Sequence, residues 1–158
     1  MSTFDFPRKV QKLHEDIHPE QLRYHNKRVA VTKTFTFDAA HHLHMYEGKC
    51  INLHGHTYHL EITISGFVNE IGISVDFGTI KLIYEQVIKD KLDHRYLNET
   101  LPPMNTTAEN MIVWIWEQID QHLESAGLKQ TGCRIEKLKL YETPTSYATL
   151  LREWMEEE

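Results

Sequence analysis

Two histidines one residue apart, His54 and His56 in LHGHTYHLEI (53–62), carry the strongest chemical signal in the sequence. On a β-strand, residues two apart point to the same side. Tyr58, Leu60, Ile62 and Ile64 continue that side, so the two imidazoles end an apolar face, where each needs a partner. A metal ion is one such partner, and neutral imidazole suits zinc; bonds to backbone or water are the plainer alternative. A second cluster, FDAAHHLH at 37–44, can supply a third ligand. Continuing the alternation past Phe37 keeps Ala39 and His41 on the apolar side and turns His42 to the other. His41 is therefore the third ligand by geometry, and His42 and His44 read as ordinary loop residues. Three histidines with no evident fourth ligand match a catalytic Zn2+ with an open position. Cys50, four residues before His54, keeps open a competing structural site of three histidines and one cysteine.

Other residues carry weaker signals. A thiol beside zinc and near Lys49 would ionise readily, making Cys50 a base or nucleophile, whereas Cys133 inside a strand reads as a small core hydrophobe. Asp93-His94 in LDHRYLN is a candidate proton shuttle, with a dipole-stabilising histidine at a helix end as the alternative. Glu142 shares parity with Leu138 and Leu140 in KLKLYET. A carboxylate on an apolar face needs partners; a ligand presenting two adjacent N–H donors would satisfy it, and so would a strand that stops short of it.

The elements that must position these groups follow from periodicity. Residues 28–38 and 57–66 alternate as half-buried strands, with Lys33 the exception in the first, and a short strand is expected near Ile73 to Asp76. Apolar spacing over 78–92, with Asp76 as N-cap, predicts one helix. A loop is expected over 93–105. Thr106 and Glu109 then read as a capping box opening a second helix, which Gly127 stops. Strands at 133–142 and about 146–151 follow. The order predicts an α+β layer, an antiparallel sheet with two helices on one face. Residues 1–27 read as a charged arm with a short helix, and 28–158 as one catalytic domain.

Composition narrows the function classes. The chain has 158 residues, 41% hydrophobic and 25% charged, which reads as a single soluble domain. No apolar run approaches the roughly 18 residues of a membrane span, and the N-terminus MSTFDFPRKV lacks a signal-peptide core. Two cysteines give no disulfide framework, so a cytoplasmic location is expected. A net charge of −6 argues against nucleic acid as a partner.

Six motifs in order, FDAAH (37–41), GKCINLHGHTY (48–58), VDFGTIK (75–81), LDHRYLN (92–98), NTTAEN (105–110) and YET (141–143), resemble the 6-pyruvoyltetrahydropterin synthase / 6-carboxytetrahydropterin synthase family over nearly all of residues 28–151. The resemblance implies the T-fold, a four-stranded antiparallel sheet packed on two helices. It implies a homohexamer, a dimer of trimers with active sites between subunits. It places the zinc ligands on His41, His54 and His56, the catalytic cysteine on Cys50 and the aspartate-histidine pair on Asp93 and His94. The pterin-anchoring glutamate falls on Glu142 and a pterin-contacting threonine on Thr107. Glu109 lies beside Thr107, but the capping box already accounts for it. The three residues between Cys50 and His54, and ETPTSY at 142–147, are similar to the bacterial 6-carboxy-5,6,7,8-tetrahydropterin synthases of the queuosine (7-deazaguanine) pathway. The implied substrate is 7,8-dihydroneopterin triphosphate, and the implied products are 6-carboxytetrahydropterin, acetaldehyde and triphosphate. Lys27, Arg28 and Lys49 are candidates for the triphosphate.

Two competing readings stand beside this one. Triphosphate elimination to 6-pyruvoyltetrahydropterin uses the same residues, and a non-catalytic zinc scaffold would use Cys50 as fourth ligand. Dihydroneopterin aldolases, which share the fold, are set aside because they need no such three-histidine site. Strand parity makes one prediction at this level. His41→Ala should lose tightly bound zinc and His42→Ala should keep it, read as metal content after dialysis; equal loss in both would put the parity at the wrong register.

Overall fold

The computed structural model describes residues 7–157. Two long strands form its frame, β1 (Arg28–His41) and β2 (His54–Phe67), paired antiparallel along their whole length. Each runs a few residues further toward the histidines than periodicity alone delimits. Along β2, Tyr58, Leu60, Ile62 and Ile64 are fully buried and alternate with more polar neighbours, which is how a sheet with one covered face is built. β4 (Arg134–Thr143) pairs with β2, and β5 (Ser146–Leu151) with β4, both antiparallel.

A fifth strand corrects the expectation of four. β3 (Arg95–Tyr96) adds two residues in parallel to Ala39 and Ala40 of β1, giving the order β3-β1-β2-β4-β5. It exists because Asp93 and His94, just before it, are tied to the backbone of Asp38. The expected strand at Ile73–Asp76 is absent. There the Asn69 side chain accepts from the N–H groups of Ile71 and Ile73, folding the segment into a local turn that competes with strand pairing.

The first helical stretch begins at α1 (Phe77–Ile83), capped by Asp76 accepting from the Gly78 N–H at 2.7 Å. It passes through a π-helical turn (Tyr84–Ile88) into α2 (Lys89–Leu92) and leads to β3 and the one-turn α3 (Leu97–Thr100). The long helix α4 (Ala108–Ser125) presents Ile112, Ile115, Ile119 and Leu123 to the sheet's covered face, and Gly127 in the left-handed region ends it. Fully burying a residue such as Ile115 contributes about 1.5–3 kcal/mol. α5 (Arg152–Met155) closes the chain. Both main helical stretches join one core with the covered face, the α+β arrangement that the resemblance implies. Residues 7–27 add a turn closed by an isolated bridge between Leu13 and Ile17 and a three-residue 3-10 turn (Pro19–Gln21), and stay almost wholly exposed.

A bulge in β4 shifts its register against β2 between Thr63 and Ile64, so Ile135 turns inward while Glu136 lies on the other face. Burial works against the Glu136 charge, but hydrogen bonds from Ser65, Arg134 and Arg152 outweigh it and hold the carboxyl down at about 2, against an ordinary 4.5. A carboxyl depressed by folding stabilises the fold above pH 4.5 and loses that contribution as pH falls toward 2. Glu136→Gln should therefore cost about 1–2 kcal/mol near neutral pH. In urea unfolding, the gap from wild type should narrow steadily below pH 4.5.

Candidate metal centre and active site

The register of β1 against β2 sets His41 directly opposite His54 and Ala39 opposite His56. Side chains on paired strands that share a face are neighbours, so three imidazoles meet where the apolar face runs out. Their ring centroids lie 4.6 Å (His41–His54), 4.8 Å (His54–His56) and 5.2 Å (His41–His56) apart. One ligand atom from each ring falls within 4.8 Å of the other two, a group that could hold a metal ion. His41 is fully buried, while His54 and His56 are half-buried.

Hydrogen bonds fix how the rings are presented. His41 Nδ1–H donates to the Thr106 carbonyl at 2.8 Å, with the Thr106 hydroxyl at 3.2 Å. His54 Nδ1–H donates to the Asn52 carbonyl at 2.7 Å. Each bond selects the tautomer whose Nε2 lone pair faces into the cluster, the outer-sphere arrangement of metal-bound histidine. The Nε2 atoms of His41 and His56 are buried without a hydrogen-bond partner among the described residues. Glu142 Oε1 stands 3.2 Å from the first and 3.5 Å from the second. Lone pairs facing a carboxylate repel unless a cation lies between them. Burial, the largest influence on His56, lowers its pKa; Glu142 opposes this, and His41 and His54 add to it. His56 therefore resists supplying that cation by protonation, and a metal ion fits the donor set.

A bulge between Tyr141 and Thr143 interrupts the β4–β5 ladder at Glu142, where β4 reaches the cluster. Cys50 sits on a 3-10 turn (Lys49–Ile51) and lines a cavity of about 350 Å3 together with His54, Thr107, Glu109, Glu142 and Tyr147. It stands outside the ligand group.

Asp93 and His94 sit elsewhere. Asp93 Oδ1 accepts from His94 Nδ1–H at 2.9 Å and from the Asp38 N–H at 3.2 Å. His94 is held in the left-handed region at φ 58°, an uncommon state for a side chain larger than glycine. The pair lies by a second cavity of about 600 Å3, to which His94 and His56 contribute and Cys50 does not. Within one chain, Cys50 and His94 thus open on different sides of the histidine cluster. Arg28 begins β1 while His41 ends it, about 40 Å apart at some 3.3 Å per residue. Arg28 donates to Ser65 and to the Gly132 carbonyl, so neither it nor the adjacent Lys27 reaches the Cys50 cavity of the same chain.

The helix start differs from the capping-box reading. Thr107, not Thr106, caps α4, accepting from the Asn110 N–H at 3.2 Å. Thr106 is wholly buried behind His41. The shift places Glu109 at the second helical position, out of reach of a capping box. Among the described residues its carboxylate has no hydrogen bond, and it lines the Cys50 cavity. Thr106 and Glu109 are the site residues that motif reasoning passed over. Either of two adjacent threonines can cap, and nothing local in TTAEN chooses between them.

Comparison with known proteins agrees with this architecture. The family model described as 6-pyruvoyl tetrahydropterin synthase matches residues 30–153. A 6-carboxy-5,6,7,8-tetrahydropterin synthase from Haemophilus influenzae is 33% identical over 141 residues, covering 74% of this chain and 94% of its own. A dihydroneopterin monophosphate aldolase from Pyrococcus furiosus is 36% identical, covering 68% of this chain and 83% of its own. The solved structure of 6-pyruvoyl tetrahydropterin synthase from Caenorhabditis elegans superposes with a TM-score of 0.68 at 24% identity, covering 82% of this chain and 99% of that one.

Because Cys50 stands outside the ligand group, Cys50→Ala should retain tightly bound zinc at wild-type stoichiometry, measured by equilibrium dialysis. Loss of the metal would instead make the thiol a ligand.

Proposed function

The chain belongs to the 6-pyruvoyl tetrahydropterin synthase family, and we propose that it is a zinc-dependent 6-carboxy-5,6,7,8-tetrahydropterin synthase of queuosine (7-deazaguanine) biosynthesis, converting 7,8-dihydroneopterin triphosphate to 6-carboxytetrahydropterin, acetaldehyde and triphosphate. The observation that carries the reading is one cavity lined by Cys50, the metal-ligand candidate His54 and two carboxylates, Glu109 and Glu142.

Held by His41, His54 and His56, Zn2+ would supply Lewis acidity toward oxygens of the substrate side chain. Thr106 and Asn52, accepting from the two Nδ1–H groups, keep His41 and His54 in the ligating tautomer. Cys50 takes the proton from carbon next to the pterin ring, since a thiolate is a competent base at neutral pH. A pterin presents a ring N–H and an amino group side by side, which one carboxylate can accept together. Glu142 lies against the imidazoles, so Glu109, free of other partners and across the same cavity, shares or takes over that anchoring role. Thr107 contacts the ring from the helix cap.

The proton relay needs a second copy. Asp93 and His94 face away from their own Cys50, and a neighbouring subunit's pair completes the site. Among the described residues the outer backbone edges of β5 and of most of β1 are unpaired, which supports strand-to-strand assembly into the trimers of a homohexamer. No helix among the described residues is long and apolar enough to cross a membrane.

Zinc-loaded protein incubated with 7,8-dihydroneopterin triphosphate should release acetaldehyde and 6-carboxytetrahydropterin in equal amounts. A pyruvoyl product without acetaldehyde would assign the elimination chemistry. A 6-hydroxymethyl product would assign aldolase cleavage, and no turnover would favour the scaffold. Glu109→Gln should lower kcat/KM at least tenfold, as expected for losing a charge-assisted contact of about 1.5–3 kcal/mol, with Tm unchanged.

A further inference from the structure

His42 and His44 play no part in the chemistry above, yet they are held more firmly than ordinary loop residues. Pairing of β1 with β2 ends at His41, so the next residues have no partner strand. Two asparagine side chains take its place. Asn98 accepts from the His42 N–H at 3.0 Å and donates to its carbonyl at 2.9 Å. Asn105 grips His44 in the same way, at 2.9 and 3.0 Å. Each amide satisfies both backbone groups of one residue, as a neighbouring strand would.

The two rings of this His-Leu-His unit come together. Their centroids are 4.7 Å apart with planes at 80°. The His54–His56 pair of the metal centre shows 4.8 Å and 87°. The two pairs share spacing, ring geometry and the one-residue interval. Tyr96 walls one side, its ring 5.9 Å from that of His42. No ring nitrogen of His42 or His44 has a hydrogen-bond partner among the described residues, and no carboxylate is paired with either. His42 is half-buried and His44 exposed, leaving the pair open to solvent.

We propose that His42 and His44 form a second, exchangeable site for a borderline transition-metal ion such as Zn2+ or Cu2+, with water completing the coordination. Two neutral imidazoles without a carboxylate exclude hard cations such as Mg2+ and Ca2+. The asparagine clamps pre-order the chelate, and two protein ligands make it weaker than the three-histidine centre. The sites share no ligand but do share a support. The Thr106 hydroxyl reaches the His42 carbonyl and the Asn98 carbonyl oxygen, each at 3.3 Å, while the Thr106 backbone carbonyl holds His41.

Full-length protein stripped of metal is titrated with Zn2+ against a chromophoric chelator and with Cu2+ by electron paramagnetic resonance. Wild type should bind two equivalents per chain, one tight and one weaker. His42→Gln/His44→Gln should lose only the weaker one, and His54→Gln should keep it. Asn98→Ala should weaken it about tenfold, the usual effect of losing an outer-shell partner. His44→Gln alone, an exposed change, gives the same reading should the double variant fail to fold. A single equivalent in wild type would overturn the proposal. So would a second equivalent that survives in the double variant, which would put it on the arm histidines His14, His18 and His25. Loss of both equivalents in His54→Gln would also overturn it, by showing one site rather than two.

Discussion

The register between β1 and β2 is the constraint on which the rest of the structure depends. His41 faces His54, and Ala39 faces His56, because fourteen consecutive residues of each strand pair without a bulge. A slip of one residue would turn His41 or the His54–His56 pair to the opposite face. The same slip would expose Phe37 in the first case, or Tyr58, Leu60 and Ile62 in the second, all essentially buried. The apolar core and the metal-ligand candidates are alternate consequences of one alignment. Burial of the core therefore fixes the geometry of the histidines.

The electrostatics of the cluster follow from that alignment. Burial disfavours protonation of His56, and the carbonyls of Thr106 and Asn52 take up the Nδ1–H groups of His41 and His54. What remains is a set of inward lone pairs with the Glu142 carboxylate against them. That arrangement calls for a cation. The support is itself well buried. Thr106 is fully enclosed and links His41 to the backbone of His42 and to Asn98, so the segment 97–107 acts as scaffold for the end of β1.

The division of the surroundings is equally informative. Cys50 and His94 flank the cluster from separate cavities, and among the described residues two backbone edges of the sheet are unpaired. The two residues thus line different cavities beside the histidine cluster. Under the proposed function, association of copies would bring a cysteine and an aspartate-histidine pair to one substrate.

Periodicity made much of this legible. The parity of 35–41 and 54–64 selects His41 over His42, and the helical stripe at 112–123 predicts α4. The Asp76 cap and the closing strands also follow from local chemistry, because each rests on residues within a few positions of one another. Tertiary structure decided the rest. Thr107 rather than Thr106 caps α4, and the Thr106 hydroxyl is engaged instead by His41, sixty-five residues away, and by the His42 carbonyl and Asn98. That choice releases Glu109 into the cavity. The two-residue β3 forms only because Asp38 captures Asp93 and His94. The pairing of His42 with His44 depends on Asn98 and Asn105, more than fifty residues further along. By itself the sequence determined which faces are apolar and which histidines end them. Partners distant along the chain decided which polar groups are left free for chemistry, since a hydrogen bond satisfied across the fold leaves no local trace in the residues that make it.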